Sequence, residues 1–348
     1  MVLIIGAGLS GLLTAYRLKQ NGVPFKILEA RDRIGGRINT ILGKNETPVE
    51  MGATWFQDHH QNLIALLNEL GLDAFEQYMD KTVLFQQQAH SPVQLMEIGT
   101  QTPSYRIAGG TLNLINTLYQ NLESSDVFLN QQVKKIVFLE QSVQVIAKET
   151  FEASNIVLAI PPRLWAKNIS FEPNLPADLL NVGRQTHTWM EDSIKVALTF
   201  NQPFWQEQNI PATFFSNAGP ITEFYDHCNV ERTKFALCGF MNSSFKNKNK
   251  EERQNIVINQ LKTAFGEIIE SFLEYEECIW SKEQFTFESS DNSVYPHQNN
   301  GNPIFRETFF NDRLFISSSE SATSFPGYME GAVISGNLTA EKLIKSFK

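Results

Sequence analysis

An α/β fold with a Rossmann-like dinucleotide-binding domain is what this 348-residue sequence predicts, on three observations. A continuous apolar run, Val2-Leu3-Ile4-Ile5, leads at once into Gly6-Ala7-Gly8-Leu9-Ser10-Gly11. A helical pattern follows through Leu12, Leu13, Ala15, Tyr16 and Leu18. A second strand-like run over residues 23–28 then ends on the acid Glu29. Short β-branched apolar runs read as strands buried on both faces, and Asn21-Gly22 is a helix stop. Strand, glycines, helix, strand and acid in this order are the context that a GxGxxG motif requires.

The spacing has a mechanism. Gly6 permits the tight turn, Gly8 lets backbone approach a pyrophosphate, and Gly11 lets the helix pack close to the strand. The helix N-terminus, with Ser10 in its first turn, offers unpaired N–H groups and a positive dipole end to phosphate. Glu29 lies 18 residues after Gly11, where a carboxylate accepts hydrogen bonds from ribose hydroxyls. A purely structural turn would explain neither Glu29 nor all three glycines. An acid there also disfavours a ribose 2′-phosphate, which makes NADP the poorest candidate. The motif alone leaves NAD and FAD open.

Composition bounds the rest. The length suggests about two domains. Apolar residues at 42% and charged residues at 19% place the chain with globular proteins and away from disordered ones. A net charge of −9 argues against a general nucleic-acid binder. Cys228, Cys238 and Cys278 are odd in number and lack CxxC spacing, so neither a disulfide framework nor a zinc site is expected, and no other metal. No apolar run is long enough to span a membrane, and the apolar start is too short for a signal peptide. A cytoplasmic location follows as the expectation.

Directly after Glu29, Ala30-Arg31-Asp32-Arg33-Ile34-Gly35-Gly36-Arg37 adds three arginines and two glycines. Arginine offers phosphate a bidentate fork, and Gly-Gly lets the chain pass close to a ligand. A solvated basic loop is the competing reading. Together with Gly6 to Leu12 and Glu50-Met51-Gly52-Ala53-Thr54-Trp55, this segment resembles the FAD-binding segments of the flavin-containing amine oxidases. Later segments match in the same order: Ile107-Ala108-Gly109-Gly110, Val157-Leu158-Ala159-Ile160-Pro161-Pro162, Ser193-Ile194-Lys195 with Pro203-Phe204-Trp205, and Phe325-Pro326-Gly327-Tyr328-Met329-Glu330-Gly331-Ala332. The resemblance runs from residue 2 to about residue 345 with a shortened middle.

The resemblance implies FAD, with Glu29 at the adenosine ribose and Arg31 and Arg37 near the pyrophosphate. Gly35, Gly36, Gly52, Ala53 and Thr54 fall in the matched cofactor segments. Val133 matches the residue whose backbone meets the adenine, and Glu320 the acid of the C-terminal FAD segment. Residues 327–331 would pass beneath the isoalloxazine, with the Met329 N–H at its pyrimidine edge. A helix beginning near Met329 would aim its positive end there. Lys195 matches the lysine that holds a water at flavin N5, although on pattern alone an exposed lysine on an alternating strand is the commoner reading. Trp280 matches a tryptophan packed near the flavin. Tyr328 matches one wall of an aromatic cage that orients an amine, since aromatic faces attract amine nitrogen; core packing is the plainer reading. The implied reaction oxidises a small-molecule amine, with hydride transfer to flavin N5 and reoxidation by oxygen.

Three departures from the family pattern stand out. Counting on from Trp280, the second cage wall and the flavin-tethering cysteine fall near Ser289 and Ser290, and no cysteine follows residue 281. FAD is therefore expected to be non-covalent, with Phe285, Phe287 or Tyr295 as candidate replacement walls. Ser317-Ser318-Ser319 replaces the usual Ala-Gly-Thr, so Ser318 puts a side chain where backbone should approach the cofactor. The insert at 75–105, long and helical in the family, is short here. A site without that roof would be open to water, admit a large substrate, or be covered by a partner chain. Two alternative functions follow: a desaturase or protoporphyrinogen-oxidase-like enzyme acting on C–C bonds, and a non-enzymatic FAD-binding partner protein.

The pattern further predicts helices over 60–72, 111–122 and 251–265, strands within 126–147 and over 156–160, and a loop over 291–303. The FAD-binding domain is expected to be discontinuous (1–74, 106–184 and 282–348). A small α+β substrate domain takes 75–105 and 185–281.

Overall fold

Five parallel strands organise the first body, in the order Val127–Phe128, Phe25–Leu28, Val2–Ile5, Asn155–Leu158, Leu314–Ile316. This is a computed structural model, which describes residues 1–89, 91–289 and 293–347. Ser290 and the first two residues of the loop expected at 291–303 lie outside the described residues. The sheet is central because its strands are apolar on both faces. Leu3, Ile4, Ile27 and Val157 are fully buried. On one face the helix Leu9–Gln20 packs against the C-terminal helix Met329–Ser346. Gly336 makes that approach possible, since a Cβ there would stand 2.9 Å from the Ser10 carbonyl oxygen. On the other face lies a four-stranded sheet, ordered Thr150–Ala153, Val143–Ile146, Lys135–Phe138, Ser170–Glu172. Trp165 and Phe305 fill the space between.

A second body is a seven-stranded sheet: Glu274–Ile279, Ile194–Phe200, Phe235–Met241, Ile221–Asp226, Phe214–Ser216, Thr82–Gln86, Gln94–Glu97. The helix Lys250–Phe265 covers one face through Val257, Ile258, Leu261 and Phe265. Its start is set by a capping box in which Asn249 and Glu252 exchange side-chain and backbone hydrogen bonds. Every residue of Ile194–Phe200 is buried, so a charged side chain on that strand has no route to bulk water.

The predicted helices appear as Gln61–Glu69, Leu112–Gln120 and Lys250–Phe265, and the predicted strand at 156–160 as Asn155–Leu158. Helix ends differ from the expectation by up to three residues, because terminal turns are held by fewer bonds. The start of Gln61–Glu69 is capped from a distance. The Glu330 carboxylate accepts from Asn62 N at 3.0 Å and Leu63 N at 2.7 Å. No helix among the described residues is long and apolar enough to cross a membrane.

Candidate active site

One cavity of about 850 Å³ is bounded by both bodies. That volume sits near the top of the range of about 300–1,000 Å³ for ligand pockets. Its first wall is the loop after Val2–Ile5. Gly6 has φ +109°, which a side chain would strain, and a Cβ on Gly11 would sit 2.1 Å from the Gly6 carbonyl oxygen. Gly8 differs: a Cβ there meets nothing within 4 Å, because the space beyond it is cavity. The first helical bond runs from Leu12 N to Gly8 O. The N–H groups of the first turn are left without a helical acceptor, at residues that line the cavity. That helix has no side-chain cap and no acid in its first turn, so its positive end is free for an anion.

Every sequence-predicted site residue except Gly11 and Glu320 lines this cavity. Gly11 lies behind it as a packing glycine. Glu320 is fully buried and reaches the cavity only through Arg37, which forks onto its carboxylate at 2.6 and 3.1 Å and also donates to Ser319 Oγ. Burial alone would raise the Glu320 carboxyl. The Arg37 charge and the hydrogen bonds of Arg37 and Ser319 overcome that and hold it below the usual value.

The arginine run divides. Arg31 lines the cavity, donating to Thr286 Oγ1 at 2.8 Å, with its guanidinium 4.0 Å from Glu29. Arg33 does not line it. It turns back onto the Ile34 and Gly36 carbonyls and braces the Gly35-Gly36 turn. Glu29 is buried and already accepts from Ala7 N at 2.8 Å and Arg31 N at 2.9 Å, which fixes its carboxylate at the strand end. Ser10 contributes through backbone, because its hydroxyl is committed to the Ser317 carbonyl.

The opposite wall carries Lys195, which is 2% exposed. The exposed-lysine reading is therefore overturned, because the strand is covered on both faces. Lys195 Nζ donates to Thr54 Oγ1 at 2.6 Å and stands 4.4 and 4.8 Å from the ring centres of Trp55 and Phe240. Thr54 in turn donates to the Gly52 carbonyl at 3.0 Å, so its hydroxyl can only accept from the lysine. Burial pulls the Lys195 pKa below that of a free lysine, against the opposing pull of Cys238 and Glu50. Beneath it Glu50 is buried among neutral donors, Thr40 Oγ1 at 2.9 Å and Thr111 N at 2.6 Å. Trp280 is buried and donates to the Met51 carbonyl at 2.8 Å.

The third wall is the turn before Met329–Ser346. That helix also lacks a side-chain cap, and its one first-turn acid, Glu330, is spent on the helix Gln61–Glu69. A second free helix N-terminus thus opens on the cavity at Met329. Tyr328 is 37% exposed, so it is a rim residue and not core packing. None of the three candidate partner walls stands against it. Phe285 lies under Arg31, Tyr295 is 74% exposed, and the rings that face Tyr328 are Trp189 at 5.6 Å and His60 at 6.0 Å. Trp189 has no local signal, since it meets Tyr328 across 139 residues of chain. The Ser318 hydroxyl, buried on the cavity wall, caps the Ser319–Ser321 turn in a capping box with Ser321, which leaves its proton to donate.

The comparisons with known proteins fall on this geometry. The model of the flavin containing amine oxidoreductases matches residues 9–98 and 86–344. The chain belongs to this family. It is 21% identical to human flavin-containing amine oxidase B, over 99% of this chain and 86% of that protein. It is 23% identical to a putrescine oxidase of Kocuria rosea, over 82% of this chain and 83% of that protein. The human alignment spans 454 positions, more than this chain has residues, so segments of that relative have no counterpart here. Among solved structures, a putrescine oxidase bound to putrescine superposes with a TM-score of 0.85 at 22% identity, covering 99% of this chain and 98% of that one. Cyclohexylamine oxidase of Brevibacterium oxydans gives 0.85 at 19% identity, over 99% of each chain. The family assigns a flavin cofactor, and this cavity fits one. It has two uncapped helix N-termini, an open cradle at Gly8 and a fixed acid at Glu29.

Proposed function

We propose that the protein is an FAD-dependent amine oxidase with non-covalent flavin, an amine as substrate and oxygen as the final acceptor. The observation that carries this reading is one cavity joining the Gly8–Glu29 cradle to a buried lysine and an aromatic rim. When bound, FAD supplies the chemistry, accepting a hydride equivalent at N5 from the carbon beside an uncharged amine. The first helix and Gly8 hold the pyrophosphate, Glu29 the ribose, Val133 the adenine through its backbone, and Arg31 and Arg37 balance the phosphate charge. The uncapped Met329 helix end would stabilise negative charge on the bound flavin. Ser318, whose hydroxyl oxygen accepts within the Ser318–Ser321 capping box, would donate its proton to the cofactor. Lys195, with one N–H on Thr54, keeps its remaining donor capacity for a water at the reacting edge. Tyr328 orients the amine.

Non-covalent binding is supported by the cysteines. All three are described, free and off the cavity wall. Burial pushes the Cys228 and Cys278 thiols up to about 12, which keeps them protonated. Free thiols also favour a cytoplasmic location. The proposed division places the FAD domain at 1–74, 106–184 and 282–348. The substrate domain takes 75–105 and 185–281. Strand membership supports it, because all five parallel strands fall in the first set and all seven strands of the large sheet in the second. The test is anaerobic titration of the FAD-loaded protein with cyclohexylamine and putrescine, followed by acid precipitation. Loss of visible flavin absorbance and release of free FAD are expected. A bound flavin that neither amine reduces would remove the amine assignment, and flavin remaining on the precipitate would remove the non-covalent one.

A further inference from the structure

The loop between the helix Ala177–Arg184 and the strand Ile194–Phe200 carries a ring that no family segment predicts. Trp189 lines the cavity and stacks on Tyr328 with ring centres 5.6 Å apart and planes 29° from parallel. It stacks as well on His297, at 4.1 Å and 24°. A flat group held between two aromatic faces needs about 7 Å between them, two carbon contacts of roughly 3.5 Å each. Nothing therefore fits between Trp189 and Tyr328. The face of Tyr328 that is turned to Trp189 is already filled by protein, so an amine reaches this ring only along the surface that Trp189 leaves open.

The ring is held there. Gly327 has φ +91°, and a Cβ on it would stand 2.7 Å from Trp189 Cβ, so the turn before Met329 is shaped around this side chain. The loop is pinned beneath by Arg163, which donates to the Glu191 carboxylate at 3.0 Å and to the Thr186 carbonyl at 2.8 Å. That ion pair is buried on both sides. A second tie runs from His187 N to the Gln298 carbonyl at 3.0 Å. The short insert at 75–105 places the strands Thr82–Gln86 and Gln94–Glu97 at the far edge of the large sheet, where neither lines the cavity, and it meets the cavity at Ser104 alone.

We propose that Trp189 is the specificity-determining residue of this site. Its ring closes the slot at Tyr328, serves as the roof over the reacting end of the flavin, and sets an upper limit on the bulk of the amine. The inference rests on the flavin reading above, since it places the reacting end beside the 325–329 turn.

The experiment uses FAD-loaded wild type, Trp189→Phe and Trp189→Ala, with two readouts. The first is quenching of bound-flavin fluorescence by iodide, which needs no turnover. The second is the ratio of kcat/KM for N,N-dimethylcyclohexylamine to that for cyclohexylamine. Trp189→Ala should raise the quenching constant at least threefold and shift the ratio at least tenfold toward the bulkier amine, with Trp189→Phe between. Quenching within error of wild type in Trp189→Ala overturns the proposal, as does a raised quenching constant with an unchanged amine ratio. If no amine reduces the wild-type flavin yet quenching rises, the amine reading fails and the closure by Trp189 stands. If Trp189→Ala does not hold FAD, Trp189→Phe and Trp189→Leu carry the same comparison.

Discussion

The cradle around Gly8 and the wall around Lys195 present polar groups to the same cavity in opposite ways. The cradle uses backbone. Its N–H groups come from a helix end, its shape from glycines, and its side chains mostly brace one another, as Glu29 does Ala7 and Arg31. The Lys195 wall uses a side-chain charge on a strand buried along its whole length. The difference sets what each can tolerate. Backbone presentation is cheap in desolvation and intolerant of an added carbon. Side-chain presentation accepts shape changes and is costly in charge, because a buried ammonium needs every partner it can reach.

The largest expected effect breaks the cradle. Gly11→Ala places a carbon 2.1 Å from a carbonyl oxygen whose own residue is locked at φ +109°. The loss should exceed the ~1–3 kcal/mol of ordinary overpacking and leave little folded protein. Gly8→Ala is the sharpening control, since it meets no protein atom within 4 Å. It should fold with an unchanged flavin-free melting temperature and hold FAD more weakly. Thermal melts with and without FAD decide this. Equal destabilisation by both substitutions would mean that Gly8 is a packing glycine too.

Lys195→Met tests the other wall. A general acid–base contribution of about 10²–10⁴-fold should vanish from flavin turnover in stopped-flow traces. The melting temperature should hold or rise, because a buried cation with one hydrogen bond becomes an apolar chain between Trp55 and Phe240. A fall in stability with unchanged turnover would reverse the assignment.

The contrast also explains what could be read from the sequence. The cradle was legible because its parts lie within one stretch of about forty residues, where turn, helix end and strand end follow from local spacing. The Met329 turn follows from a second local motif near the C-terminus. Lys195 was ambiguous in pattern, since alternation says nothing about what covers the outer face of a strand. Its burial comes from Thr54, Trp55 and Phe240, which lie far along the chain. Trp189 carries no sequence signal for the same reason. Its meaning lies in Tyr328 and Gly327, and no spacing links them. Glu320 was placed on the cofactor because a motif does not distinguish a group that touches a ligand from one that holds the group that does.

Arg37 ties the cradle segment to the C-terminal Ser319-Glu320 turn and should show an intermediate effect. Arg37→Met leaves the fully buried Glu320 carboxylate without its cation, a loss of about 3–5 kcal/mol for a broken buried pair. Urea unfolding measures it. Arg37→Met with Glu320→Gln should recover much of the loss, because a neutral amide needs no counter-charge. Failure to recover would show that Arg37 matters for shape and not for charge.

The smallest effect is a pH slope beneath the Lys195 wall. His227 is buried, accepts from Glu50 N at 3.3 Å through Nε2, and leaves Nδ1 without a partner. Burial, with Arg106 and Lys195 nearby, holds its pKa well below 6.5, so it is neutral in the fold. Below its unfolded pKa of about 6.5 the unfolded chain takes up a proton that the folded one refuses. Stability therefore falls as pH drops through that value, by at most about 1.4 kcal/mol per pH unit. Urea midpoints at neutral and mildly acid pH should separate the wild type from His227→Gln. The variant should be the less stable at neutral pH, where the packing at Glu50 is disturbed, and the less sensitive to acid. Parallel pH slopes in the two proteins would mean that acid sensitivity belongs to other buried histidines, His60 and His187, whose pKa values burial also lowers.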